Sequence, residues 1–236
     1  MRRRPARSGV VALAAAALAA GCDAQVESDY PGEPLATFRG QVAGVPPLPP
    51  LEAAMLWQRG PPPSVDDQEL ATRAPVESGF PGTFVMRLYQ PPPAAARRSL
   101  LPGEVSFARG NVGAVPYGVA ADMVAALPTA GENAYGLDVA HWVIHLQEDV
   151  PPSSVTAWWL GAPLPAGYHL VDVTPIDPAC DPEACVGELL VLGLSDETAR
   201  GLCMAPYRLS PAPPDDLIVL ELETYALPAA PPAPCP

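Results

Sequence analysis

Apolar residues recur at every second position through several short windows of this chain, and proline or glycine closes nearly every window. Such period-two alternation predicts strands with one face in a core. Leu35 to Ala43 is the first window, and Pro46-Pro47 and Pro49-Pro50 separate it from Leu51–Gln58, the second. Phe80 to Tyr89 sets Phe84, Met86 and Leu88 against Val85, Arg87 and Tyr89, and Glu104 to Arg109 puts Val105 and Phe107 on one face. The clearest window is Val139 to Gln147, where Ala140, Trp142, Ile144 and Leu146 alternate with His141, His145 and Gln147. Further strands are predicted over Val155–Leu160, over Tyr168–Val173, over Glu188–Leu194, and over Leu217–Tyr225 with Ile218, Leu220 and Leu222 inward. Tyr117 to Leu127 is apolar throughout and flanked by Pro116 and Pro128, which favours a buried strand. Helix is predicted only in short pieces, at Ser64–Glu69 and from Ser195-Asp196-Glu197-Thr198, where a capping hydroxyl precedes acids that suit a helix N-terminus.

The 34 prolines among 236 residues argue against long helices, because proline lacks the amide donor and clashes in a helix interior. The pattern predicts an all-β chain: one antiparallel β-sandwich of about eight to ten short strands joined by Pro-rich loops, with a β-barrel as the alternative. That domain spans residues 35–225, and a Pro/Ala-rich tail, 226–236, follows it.

The N-terminal stretch has a different pattern. Arg2, Arg3, Arg4 and Arg7 form a basic segment with no acid, and Val10 to Ala20 is an unbroken small and aliphatic run of 11 residues. That run is too short to cross a bilayer core, which takes about 20 residues of helix, but it suits the apolar region of an export signal. It ends Leu18-Ala19-Ala20-Gly21-Cys22, small residues up to a cysteine. This stretch resembles the lipobox of bacterial lipoproteins, with Ala19 where leucine is commonest and Leu18 one place further back. The resemblance covers the first 22 residues. It implies removal of residues 1–21, acylation of Cys22 on thiol and amine, and a chain anchored on the exported face of a bacterial cell membrane or outer membrane. Several acyl chains at about 0.8 kcal/mol per buried methylene make a firm anchor. Residues 22–34 then form a short polar tether.

Without the signal the chain carries nine Arg against 26 Asp and Glu, a net charge of −17. That balance disfavours nucleic acid as a partner. Lysine is absent, which excludes Schiff-base catalysis, a phosphate-binding P-loop lysine and Ser-Lys dyads. Four cysteines follow Cys22: Cys180, Cys185, Cys203 and Cys235. An even number in an exported chain points to two disulfides, with three possible pairings. Asp181-Pro182 favours a tight turn, so Cys180–Cys185 is the preferred pair, which leaves Cys203–Cys235 to secure the tail.

Candidate chemistry is sparse. His141 and His145 are four residues apart, as in a zinc-binding helix, but on a strand they stand ~13 Å apart and cannot share an ion. Asn133, Gly136 and Asp138 form only part of a calcium loop, and Asp177, Asp181 and Glu183 form an acidic turn. Gly193-Leu194-Ser195-Asp196-Glu197 lacks the last glycine of a nucleophile elbow. No catalytic set, metal site or cofactor is predicted. Trp158 and Trp159 are neighbours that a strand would point to opposite faces. One is then core, and the other, with Tyr168 or Tyr135, is a candidate aromatic platform for a sugar or peptide. The sequence thus predicts a lipid-anchored envelope lipoprotein, a non-catalytic binding or structural module with an envelope protein or glycan as possible partner. The alternatives are an envelope hydrolase using His141, His145 or His169, and an accessory subunit of an envelope complex.

Overall fold

In the computed structural model, which describes residues 32–44, 50–59, 68–79, 81–118, 140–176, 182–204, 207–213 and 215–222, the alternating windows pair into two sheets. The smaller contains β1 (Ala36–Ala43), β4 (Gly82–Leu88) and β10 (Ile218–Glu221) in the order β10-β1-β4, with β1 antiparallel to β4 and parallel to β10. The larger contains β2 (Leu51–Gln58), β3 (Gln68–Pro75), β6 (Phe107–Pro116), β7 (His141–Leu146), β8 (Gly167–Pro175) and β9 (Tyr207–Pro211). Its order is β3-β2-β6-β7-β8-β9, antiparallel throughout, and the two-residue β5 (Arg97–Arg98) pairs with β6. This is the expected all-β, sandwich-like fold. The larger sheet runs open from β3 to β9, so the barrel alternative does not hold.

The main core lies between the sheets. Ala53, Met55 and Trp57 of β2, Ala108, Val112 and Ala114 of β6 and Val143 of β7 pack with Val42 of β1, Phe84, Met86 and Leu88 of β4, and Ile218 and Leu220 of β10. Within the smaller sheet Gly40 is closely covered by its two ladder partners: a Cβ there would overlap the Phe84 ring and come within 2.5 Å of the Ile218 carbonyl oxygen. A second core covers the other face of the larger sheet. There Phe107, Ile144, Leu146, Val171 and Leu209 pack with Val150, Ala157 and Leu160. The central strands are therefore buried on both faces, and the side of β7 that carries His141 and His145 also carries the buried Val143.

The layer over this second core is helical, and here two predicted strands give way. Val155–Trp159 is a helical turn, α1, and Pro182–Val191 is a helix, α2. Two capping groups start α1. The Ser154 hydroxyl accepts from the Ala157 amide at 3.0 Å, and the Glu104 carboxylate accepts from the Val155 and Thr156 amides and the Thr156 hydroxyl. Pro182 stands at the first position of α2, where its missing amide is harmless, and Gly193, at φ +87°, follows its end. The helix predicted from Ser195 is present as α3 (Asp196–Cys203), with Ser195 as its N-cap.

Three further expectations change. Gln68–Pro75 is a strand, β3, where only a helical start at Ser64–Glu69 is predicted. The strand predicted at Glu104–Arg109 begins at Phe107 and runs on to Pro116. The disulfide is Cys185–Cys203, joining α2 to α3 with 5.9 Å between Cα atoms. It replaces both preferred pairings, because Cys185 lies within α2 and faces α3 across the apolar contact of Val186, Leu189 and Ala199. Cys180, Cys235, the signal stretch with Cys22, the predicted strand beyond Gly118, Tyr135 and the Asn133–Asp138 loop lie outside the described residues.

Candidate functional site

Antiparallel pairing of β7 with β8 sets His141 directly opposite Asp172. The imidazole Nε2 stands 3.3 Å from Asp172 Oδ1 and 3.4 Å from Asp216 Oδ2. Asp216 comes from the turn before β10, where its amide donates to the Pro213 carbonyl at 3.0 Å. Its Oδ1 accepts from the Leu217 amide at 2.9 Å, which leaves Oδ2 as the oxygen turned to His141. The three side chains form a graded cluster, with His141 11% exposed and Asp172 and Asp216 35% and 37%. One nitrogen or oxygen atom from each lies within 4.8 Å of those of the other two.

The other two histidines stand apart from this cluster. His145 is four residues along β7 and packs edge-on against Tyr168, with ring centroids 4.5 Å apart. Burial, then Arg97, then His169 push its pKa below the ordinary histidine value. Its Nδ1 is buried without a hydrogen-bond partner among the described residues. Tyr168 donates its hydroxyl to the Gln90 carbonyl at 2.7 Å, and burial raises its pKa to about 12. His169 pairs through the ladder with Ile144, and its Nε2 lies 2.7 Å from the Pro165 carbonyl oxygen. The strand spacing keeps His145 away from His141, as expected; the fold brings Asp172 and Asp216 to it instead.

Ser210 does not complete a serine triad at His141. Ser210 of β9 is the ladder partner of Asp172, so the row across three strands reads His141, Asp172, Ser210. A triad needs the imidazole between hydroxyl and carboxylate. Here the carboxylate is in the middle, and two strand spacings of ~4.8 Å separate Ser210 from His141. Ser195, the serine of the incomplete elbow, bonds the Thr198 amide at 3.3 Å as the α3 cap.

The predicted aromatic platform divides between two layers. Trp159 packs on Phe107, at 4.8 Å between centroids, and near Trp142 at 6.4 Å. Trp142 also meets Tyr207 edge-on and carries the Arg109 guanidinium at 4.1 Å over its ring. Burial, with Arg98 adding repulsion, lowers the Arg109 pKa to about 10. Tyr168 lies against the inter-sheet core beside Trp57, on the opposite face of the larger sheet from Trp159. Trp158 lines a cleft of about 520 Å3, with Pro152, Pro163, Glu188 and Val191 among its walls. Its indole Nε1 donates to Glu188 Oε2 at 3.0 Å, and Val191 is 87% exposed.

No protein-family model, curated protein or solved structure matches this chain.

Of the acidic turn, Glu183 belongs to α2 and binds the Arg200 guanidinium, which Asp196 also holds. These contacts raise the Arg200 pKa above its ordinary value. Asp177 and Asp181 lie outside the described residues. Sequence reasoning leaves Asp172 and Asp216 unassigned. The available signal is a carboxylate at 172 inside an otherwise apolar strand, and polar residues in such a position need partners. Asp216 gives no comparable signal within Pro213-Pro214-Asp215-Asp216.

Proposed function

We propose that this chain is an exported lipoprotein, held at the bacterial cell envelope by acyl chains on Cys22, whose β-sandwich serves as a non-catalytic binding or structural module. The observation that carries this reading is Leu18-Ala19-Ala20-Gly21-Cys22 behind an 11-residue apolar run and four arginines. The Cys185–Cys203 bond supports it, because disulfides persist in oxidising compartments and are rare in the cytosol. The surface best suited to a partner is the cleft beside Trp158, where an indole face, prolines and one carboxylate stand together. Such an amphipathic wall suits a sugar ring or a peptide, so an envelope glycan or protein is the partner class.

Intact mass of the membrane-fraction protein from a bacterial host tests the anchor, with Cys22→Ala as control. The expected species begins at Cys22, carries acyl mass and moves to the soluble fraction in the variant. An unmodified soluble chain overturns the reading.

A second reading is an envelope hydrolase with His141 as base, and the Asp172 oxygen 3.3 Å away supports it. Against it, the row His141, Asp172, Ser210 puts the carboxylate and not the imidazole in the middle. Hydrolysis of a panel of ester and amide substrates that vanishes in His141→Gln would place this reading first.

A further inference from the structure

We propose that His141, Asp172 and Asp216 form a binding site for one divalent cation of the zinc class. A tetrahedral ion with ligand bonds of about 2.0–2.1 Å holds neighbouring ligand atoms roughly 3.3–3.4 Å apart. The two separations from His141 Nε2, 3.3 Å and 3.4 Å, have this length. Imidazole nitrogen and carboxylate oxygen are both zinc ligands, and the two negative charges offset the ion.

Ligand type and number also argue against the harder cations. Calcium takes six to eight oxygens and magnesium an octahedron of them, whereas three ligands including a nitrogen suit a transition-series ion. The partly exposed carboxylates leave a path from solvent, and the fourth position of the tetrahedron falls to water.

Backbone pairing and hydrogen bonds hold the three candidate ligands in place. His141 and Asp172 are fixed by the β7–β8 ladder, which the Val173 amide extends by donating to the Ala140 carbonyl at 2.6 Å. The Leu217 amide sets the Asp216 carboxylate. Asp216 lies two residues before β10 of the smaller sheet, whereas the other two ligands belong to the larger. A bound ion therefore ties one sheet to the other, a structural role independent of the lipid anchor.

The test is zinc titration of the full chain, purified in detergent, stripped with chelator and kept non-reducing. The proposal expects one Zn2+ per chain, a higher unfolding temperature on adding ZnCl2, and visible absorption of tetrahedral type with Co2+. Asp216→Asn, a partly exposed turn position, keeps the fold by circular dichroism and weakens zinc binding at least about tenfold. Asp172→Asn and His141→Gln do the same. Failure to take up stoichiometric zinc overturns the site, as does equal uptake by wild type and Asp216→Asn. Displacement of zinc by equimolar Ca2+ overturns the assigned class of ion.

Discussion

The Glu104 carboxylate accepts from both the backbone amide and the hydroxyl of Thr156, at 3.2 Å and 2.8 Å. Thr156 is fully buried, so neither donor has water as a substitute. A buried donor stripped of its acceptor costs about 1–3 kcal/mol. Glu104→Ala is therefore expected to lower stability by roughly 2–3 kcal/mol, read as a shift in denaturation midpoint at unchanged slope. A midpoint within error of wild type would show that α1 is held by its apolar face alone.

Cys185–Cys203 closes a segment of sequence separation 18. A bridge of this span contributes about 3 kcal/mol by constraining the unfolded chain. The double variant Cys185→Ser, Cys203→Ser is expected to lose roughly that amount, with increased proteolysis at α2 and α3. A non-reducing peptide map must also contain the 185–203 crosslink; a map linking Cys185 to Cys180 instead would refute the pairing.

Gly40 has no room for a side chain between Phe84 and the Ile218 backbone. The carbonyl cannot rotate away without breaking the β1–β10 ladder, in which Gly40 pairs with Ile218. Gly40→Val is expected to cost about 1–3 kcal/mol or more and to loosen β10 first. Hydrogen exchange of the Leu222 amide, which donates to the Ala43 carbonyl at 2.9 Å, and of the Leu220 amide on the same edge reports this directly, and wild-type protection there would contradict it.

His145 and Tyr168 predict opposite ends of the stability–pH curve. His145 has a folded pKa below its unfolded value, so its contribution is complete above the unfolded pKa of about 6.5 and fades as pH falls toward the folded value. Tyr168 has a folded pKa raised to about 12. Its contribution is complete below the unfolded pKa of about 10 and is lost as pH rises through the folded one. His145→Gln should flatten the acid limb of unfolding midpoint against pH, and Tyr168→Phe the alkaline limb. Unchanged limbs would mean that other groups govern both.

The strands that proved legible are those with clean alternation. Phe84, Met86 and Leu88 face the inter-sheet core as their spacing requires, and Trp142, Ile144 and Leu146 share the other face of the larger sheet. Glu188–Leu194 misleads because a short apolar run fits a buried strand or a buried helix equally well. Pro182 before it and Gly193 within it are the marks that decide for helix. Gln68–Pro75 misleads for the opposite reason: small and polar residues give it weak alternation, and its strand form comes from pairing with β2.

The candidate site divides along the same line. His141 stands out in the sequence as a polar residue in a strong strand, and local pattern correctly denies it His145 as a co-ligand, since strand rise keeps them apart. Its partners could not be read there. Asp172 reaches it only through the β7–β8 register, and Asp216 only because the chain turns at Pro213 to enter the other sheet. Trp158 and Trp159 stand apart as expected of neighbours, but on a helical turn instead of the predicted strand.

The sequence by itself determined the strand-rich class, the alternating faces of β4, β7 and β10 and the Ser195 cap, because these depend on local periodicity and local hydrogen bonding. Tertiary structure alone decided the disulfide partner of Cys185, the second core beneath the helices and the meeting of His141 with Asp172 and Asp216. Each of these rests on register and packing between segments distant in the chain, and the period of one strand carries no information about which strand will lie beside it.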